Sequence, residues 1–504
     1  MNKTSFLKKL FAPVDLTKGK PWKVILLFGA PIILSYLLQQ IYVLTDAIIC
    51  GQVLSANEVA GINDTFPLTF IFLQFAFGST AGFSVITAQH VGSKDISKVR
   101  KSFVTQIYLT IIISVILTIL SICLLPWMLS IINITPTNKE VYDAAYIYCL
   151  IIFIGIFAQM GYNFVCGILR SYGDSLTPLI FLLISTLLNV GLDLLFLAVF
   201  NMGPAGAAIA TILAQFVSFI ACFVYTLIKY KELRFKKEDY KFDSENINKH
   251  LKEGIPLGLQ FSILAIGIIV MQSSVVKFDL TDTGVMVEGT PAQNGFGAAN
   301  KLINFLMSIY NGLGSAILGF NAQNYGKKDY KRVKEGTIQT VIIMLIMYAF
   351  CLTVGLLLTI NGAYQYIFMS ADKISPASIK FGNMFVYIDI ILNVFVGFLI
   401  VARSAVQGIS KSKYVLGAGF AELIARILIC AFLPVIINHG PINSSSSMLA
   451  FAAVCIGDPG AWIMACIVLI IPTVKYIFNQ NYEQKEKDYI NSPKNWKKKF
   501  RIQN

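Results

Sequence analysis

The sequence predicts an all-α integral membrane protein, with twelve transmembrane helices in two pseudo-symmetric six-helix lobes. Three observations carry this. Of the 504 residues, 56% are hydrophobic and only 13% are charged, where a soluble chain carries about a quarter charged residues. Lys and Arg crowd into alternate connections between apolar runs. A pattern of short motifs in the first half returns, in the same order, in the second.

The apolar runs meet or exceed the roughly 20 residues that cross a bilayer. Their expected limits are 24–50, 65–88, 103–129, 143–168, 176–200, 205–229, 254–276, 297–320, 336–360, 381–405, 414–438 and 449–477. Soluble helices need a polar face, which these runs lack. Basic residues gather in the N-terminal tail, in "GSKDISKVRK", "KYKELRFKKEDYKFDSENINKHLK", "GKKDYKRVK" and "SKSK", and in the tail "KNWKKKFR". The alternate loops hold little more than Lys139, Lys277 and Lys373, beside acids such as Glu58, Asp64, Asp279, Asp282 and Glu288. This is the positive-inside pattern. It places both termini in the cytoplasm and the chain in the cytoplasmic (inner) cell membrane. It also accounts for the net charge of +14 without nucleic acid as a partner; membrane lipids are the expected surroundings.

The repeat pairs "GAPIILSYLLQQ" (29–40) with "GIPLGLQFSILA" (254–265), "AQHVGSKD" (88–95) with "AQNYGKKD" (322–329), and more weakly "LRSYGDS" (169–175) with "VQGISKS" (406–412). The offsets of 225, 234 and 237 residues grow as small insertions in outer loops would make them grow. The expected domains are a cytoplasmic tail (1–23), an N-lobe (24–229), a cytoplasmic linker (230–253), a C-lobe (254–477) and a basic cytoplasmic tail (478–504). An even number of spans per repeat makes the repeats parallel, and such bundles place a site between their lobes and work by alternating access.

Several chemistries find no support. The nine cysteines lie mostly in apolar runs without a CxxC, and the three histidines are far apart, so neither a metal site nor a histidine base is expected. With no phosphate-binding glycine loop, the reading is a non-enzyme without a cofactor that draws energy from an ion gradient. A monomer is expected.

One stretch stands out. Asp46 in "QQIYVLTDAIICGQ" is a lone acid in an apolar run, and an ionised carboxylate there costs about 3 kcal/mol on insertion scales. At a rise of 1.5 Å per residue, Asp46 lies roughly 33 Å along span one, Asn189 and Asp193 roughly 20 and 26 Å along span five, and Thr211 about 9 Å into span six from the other side. All four converge on the outer half of the first lobe. Asn189 and Asp193 are four apart and share a helix face. Two carboxylates in a low-dielectric pocket repel and lose hydration, which suits reversible uptake of a proton; the same oxygens with Asn189 and Thr211 could ligate Na⁺. Each acid taken alone could instead be a hydrated interfacial group or a loop cap, and Thr211 could bond its own helix. Pro31 removes a backbone donor from span one and permits a hinge there. In the second half, Glu422 and Arg426 in "AELIARIL" form an i, i+4 pair that neutralises itself or, with Lys301 and Asp389, builds a polar network. Phe157, Gln159, Met160 and Tyr162 are candidates for drug contact.

This pattern resembles the multidrug and toxic compound extrusion (MATE) transporters. The carrying residues are the early Gly-x-Pro, Gln39, Gln40, Tyr42 and Asp46, then "GSTAGFSVITAQHVGSKD", "LRSYGDSLTP", "NVGLDLLF", "AQNYGKKD" and "QGISKSK". The resemblance implies a drug antiporter exporting amphipathic organic cations in exchange for H⁺ or Na⁺. It implies the DinF-like branch, whose first-span Asp and bend-forming Pro match Asp46 and Pro31, whose fifth-span Asn and Asp match Asn189 and Asp193, and whose sixth-span Thr matches Thr211. The acids of the NorM-like branch fall at Leu264 and about Val396 and are absent. The alternative within the wider superfamily is a lipid-linked oligosaccharide flippase, which would want a strongly cationic cavity. Here the intramembrane cations are few: Lys301, Arg426 and Arg403.

Overall fold

A computed structural model describes residues 12–240, 243–370 and 373–479. The start of the N-terminal tail and nearly all of the predicted basic tail lie outside the described residues. The protein is helical, and the described residues contain a single isolated β-bridge, Leu280 to Met286. Eleven helices are long and apolar enough to cross a membrane, and a bent pair brings the count to twelve.

The first six are α1 (Pro21–Val53), α2 (Phe66–Gly92), α3 (Ile96–Ile131), α4, α5 (Leu176–Asp193) and α6 (Gly203–Lys229). Here α4 joins Lys139–Ile154 to Ile156–Ser171 across a 43° bend. The last six are α7 (Ser244–Val276), α8 (Pro291–Gly326), α9 (Tyr330–Leu358), α10 (Pro376–Gly408), α11 (Ser412–Asn438) and α12, which runs Met448–Phe478. Exposed Ile, Leu, Val and Phe side chains cover the outside of the bundle, as a lipid solvent requires. Helices suit that solvent because they satisfy every backbone hydrogen bond within the segment.

The "GSKD" and "GKKD" repeats fold alike. Lys94 and Lys328 take left-handed backbone (φ 58° and 63°). The next residue caps the following helix: Asp95 accepts from the Lys98 backbone N–H at 3.1 Å, and Asp329 from that of Arg332 at 3.2 Å. Each cap satisfies a donor that the first helical turn leaves open.

The two halves meet along the lengths of α2 on α7 and α1 on α8, and also where the inner ends of α2 and α8 cross. Glycines set both long seams. A Cβ on Gly78 would lie 2.7 Å from the Leu257 carbonyl oxygen, and one on Gly312 2.5 Å from the Ile33 Cα. These two glycines are again 234 residues apart, so the repeat register holds in three dimensions. The seams differ in height. On α2–α7, Ser262 Oγ still donates to the Ile71 carbonyl (2.8 Å), near the start of α2. On α1–α8, the hydroxyls of Tyr36 and Ser315 meet at 3.1 Å, only partway up both helices.

On the face that carries the basic loops the halves are locked together. Gly92 packs on the Gln323 backbone and Gly326 on that of Gln89, each so closely that a Cβ would overlap the opposing carbonyl oxygen. The Gln89 side-chain amide donates to the Gly408 carbonyl (3.0 Å) and the Ser410 hydroxyl (2.8 Å). The Gln323 amide donates to the Ser171 carbonyl (2.7 Å). The two repeats thus reach across to each other in the same manner.

Candidate functional site

The first half holds the predicted acids in one place. Asp46 on α1 and Asp193 at the end of α5 face each other at hydrogen-bonding range. Asn189, one turn before Asp193, points its amide at the Thr211 hydroxyl of α6 (3.5 Å), and the Tyr42 hydroxyl of α1 reaches the same oxygen at 3.4 Å. Asp193 and Asn189 are buried, at 0% and 1% exposure. Asp193 Oδ1 and Oδ2, Asp46 Oδ1 and Asn189 Oδ1 have no hydrogen-bond donor.

That is the decisive geometry. A buried carboxyl facing a half-buried one brings acceptors only, and an unpartnered buried polar group is costly. A shared proton converts the contact into a hydrogen bond; a small hard cation would satisfy the same oxygens, with Asn189 and Thr211 supplying two more. Among the described residues no group of three or more His, Cys, Asp or Glu is placed to hold a metal ion, so a cation here would rest on two carboxylates and neutral oxygens.

The backbone supports the arrangement. Immediately after Asp193 the α5 helix widens into a π-helical turn, Leu194–Val199, a feature that often marks functional positions. In α1, Pro31 leaves the helix unbroken, and the Ser35 hydroxyl donates to the Pro31 carbonyl at 2.8 Å. Tyr42, Tyr148 and Cys50 border the acids. Sequence reasoning did not place these three in the site. Tyr42 had a signal, lying one turn before Asp46; Tyr148 comes from α4 and had none.

The second half carries a different cluster. Glu422 is held between two guanidinium groups, Arg403 of α10 at 2.7 Å and Arg426 of its own helix at 3.5 Å, and Arg426 also pairs with Asp458 of α12 at 2.6 Å. All but Asp458 are buried. The Glu422–Arg426 pair is therefore present but belongs to a four-membered chain whose other two members were not expected in it. Asp389 lies beside Asp458 and Arg426. It is fully buried with no donor to either oxygen, as is Asn393 one turn on. Lys301 stands apart: its ammonium donates to the Phe368 carbonyl at 3.4 Å and forms no ion pair among the described residues. Of the drug-contact candidates, Tyr162 is spent on the Pro178 carbonyl (3.0 Å), and Met160 is wholly buried.

With this geometry in hand, comparison with known proteins decides the family. The MatE family profile matches residues 31–195 and again 268–432, one match in each half. The chain belongs to the MatE family. It is 33% identical over 326 residues to the probable multidrug resistance protein YpnP of Bacillus subtilis, covering 63% of this chain and 68% of that one. It is 21% identical over 336 residues to the multidrug export protein MepA of Staphylococcus haemolyticus, covering 66% and 71%. Among solved structures, an outward-facing multidrug resistance MATE family transporter of the MOP superfamily superposes with a TM-score of 0.78 at 19% identity, over 92% of this chain and 97% of that one. A MATE protein in its bent conformation superposes with a TM-score of 0.76 at 19% identity, over 92% and 96%. The MatE chain thus shares the all-helical MATE transporter fold. Its relatives' names point to multidrug transport and do not favour a flippase.

Proposed function

We propose that this MatE protein is a secondary multidrug efflux antiporter that exports amphipathic organic cations in exchange for H⁺ or Na⁺. The observation that carries the reading is the facing pair of buried Asp193 and half-buried Asp46, three of whose four oxygens are buried without a donor. An ion must come and go there, and the pair sits on α1 and α5 with Asn189 and Thr211 beside it, as in the DinF-like branch. The two lobes, 24–229 and 254–477, alternate access, with 230–253 as their linker. The basic face is cytoplasmic, as are both tails, in the inner cell membrane. On this reading the contacts at Gln89 and Gln323 hold that face closed, in a state open outward. The transporter acts as a monomer, without cofactor or enzymatic step and without nucleic acid.

Protonation of Asp46 removes a buried charge. The α1 helix then bends at Pro31, where one backbone hydrogen bond is already missing, and substrate leaves outward. The test is efflux of a cationic dye from everted vesicles, with pH and Na⁺ gradients imposed separately. Dye movement should follow one of the two. Transport that ignores both would overturn the antiporter.

A further inference from the structure

In the outer half of α8 one face is polar and open. Lys301, Asn304 and Asn311 are exposed, and Asn300 and Ser315 are half-buried. At 100° per residue all five fall on one stripe. Polar side chains exposed on a transmembrane helix face a water-filled cavity, because lipid contact would cost several kcal/mol. The inner end of the stripe meets the other half: Ser315 touches Tyr36 of α1. The stripe therefore starts against the other half and runs outward from that contact along α8.

The repeat register names the facing surface on α2. Gly312 and Gly78 are equivalent, as are Gly326 and Gly92. By the same offset Asn304, Asn311 and Asn300 correspond to Phe70, Phe77 and Phe66. The Phe66 and Phe70 rings lie tilted against each other with centroids 5.2 Å apart, and Phe77 meets Phe261 edge-on at 5.5 Å. The first half thus offers an aromatic wall on α2, and the second an amide wall on α8 that bears one ammonium group.

From these two walls we infer that Lys301 is a specificity residue: it takes the oxyanion of an aromatic substrate whose ring lies against Phe70 and Phe77. This rests on the efflux reading above and narrows it, since the favoured organic cation would also carry a carboxylate or phosphate. The chemistry is charge complementarity. Lys301 has no carboxylate within ion-pairing distance among the described residues, and its one hydrogen bond, to the Phe368 carbonyl, is long. Asn300 and Asn304 can add neutral donors beside it. The rings opposite offer their faces to the aromatic body, and to its cationic centre through cation–π attraction.

The test uses one dye scaffold in two forms: rhodamine 6G, an esterified cation, and its free acid, which adds a carboxylate. Binding to the purified full-length protein in nanodiscs of neutral lipid is read by fluorescence polarisation. The acid should bind about tenfold more tightly, the worth of one charge-assisted hydrogen bond. Lys301→Gln should erase that preference and Lys301→Arg retain it. Phe70→Ala should weaken both dyes and leave their ratio alone. Equal affinities in the natural protein, a preference that survives Lys301→Gln, or absence of saturable binding by either dye would overturn the proposal. Preference through Lys301 with no gradient-driven transport of either dye would keep this assignment and defeat the antiporter. Transport of both dyes with equal binding would do the reverse.

Discussion

Each half of the molecule buries carboxylates in its membrane-spanning core, yet the two handle them in opposite ways. In the second half Glu422 and Asp458 lie against Arg403 and Arg426 at 2.6–3.5 Å. In the first, Asp46 and Asp193 face each other, and no described cation pairs with them. Fixed counter-charges hold their partners permanently, so the second cluster is a tie between α10, α11 and α12. The facing acids of the first cluster have no such counter-charge, and the proposed coupling to an ion gradient rests on that difference. Burial of charge alone therefore does not distinguish the two clusters; a fixed counter-charge does, and Asp389, buried beside Asp458 and Arg426 with neither oxygen bonded, lies between the two cases.

The strongest way to break this contrast is to neutralise the mobile pair. Asp46→Asn or Asp193→Asn should reduce gradient-driven efflux at least tenfold, roughly the loss of one charge-assisted interaction or more, while thermal stability in detergent holds or rises. Retained pH- or Na⁺-driven efflux in Asp46→Asn would end the assignment. Glu422→Gln should do the converse. It leaves Arg403 without its carboxylate, so stability should fall by about 3–5 kcal/mol, visible as a lower melting temperature, and transport should fall only with the folded fraction. A transport defect without loss of stability would move Glu422 into the mechanism.

Smaller effects sharpen the picture at the basic face. Gly92→Ala forces a methyl group onto the Gln323 carbonyl and should cost about 1–3 kcal/mol of the locked state. Faster labelling of a cysteine placed at Ser410 would report the opening. The smallest effect belongs to Asp95. Hydrogen bonds from the Lys98 side chain and backbone hold its carboxyl below the usual range. A lowered value means the contribution is present above about pH 3.9, the unfolded reference, and is lost as pH falls through the folded value. Asp95→Asn should therefore melt slightly below the natural protein at neutral pH, with the gap closing in acid.

Much of this was legible beforehand because lipid imposes simple rules. Span lengths follow from bilayer thickness, and the alternation of Lys and Arg orders the loops. Depth along each helix followed from rise per residue, and it brought Asp46, Asn189, Asp193 and Thr211 together correctly. What depth does not carry is direction around the helix axis. That is why Lys301, at a suitable height, was grouped with Glu422 although it reaches instead to Phe368. It is also why Arg403 and Asp458 were missed as partners, coming from helices α10 and α12 that only packing brings beside α11. The π turn after Asp193 was equally invisible, since it occurs in unbroken apolar sequence, whereas the bend in α4 falls at Gly155, whose signal the surrounding apolar run masks.

The crossed glutamines have an evolutionary reading. Gln89 and Gln323 occupy the same place in two copies of one ancestral unit, and each still grips the opposite copy. The outer parts of α2 and α8, equally old, have become phenylalanine on one side and asparagine on the other. Duplication therefore left the crossed contact symmetric and allowed the outer helix faces to diverge. A homodimer of the first half alone should still close at its basic end, but around a chamber with two aromatic walls and no ammonium group.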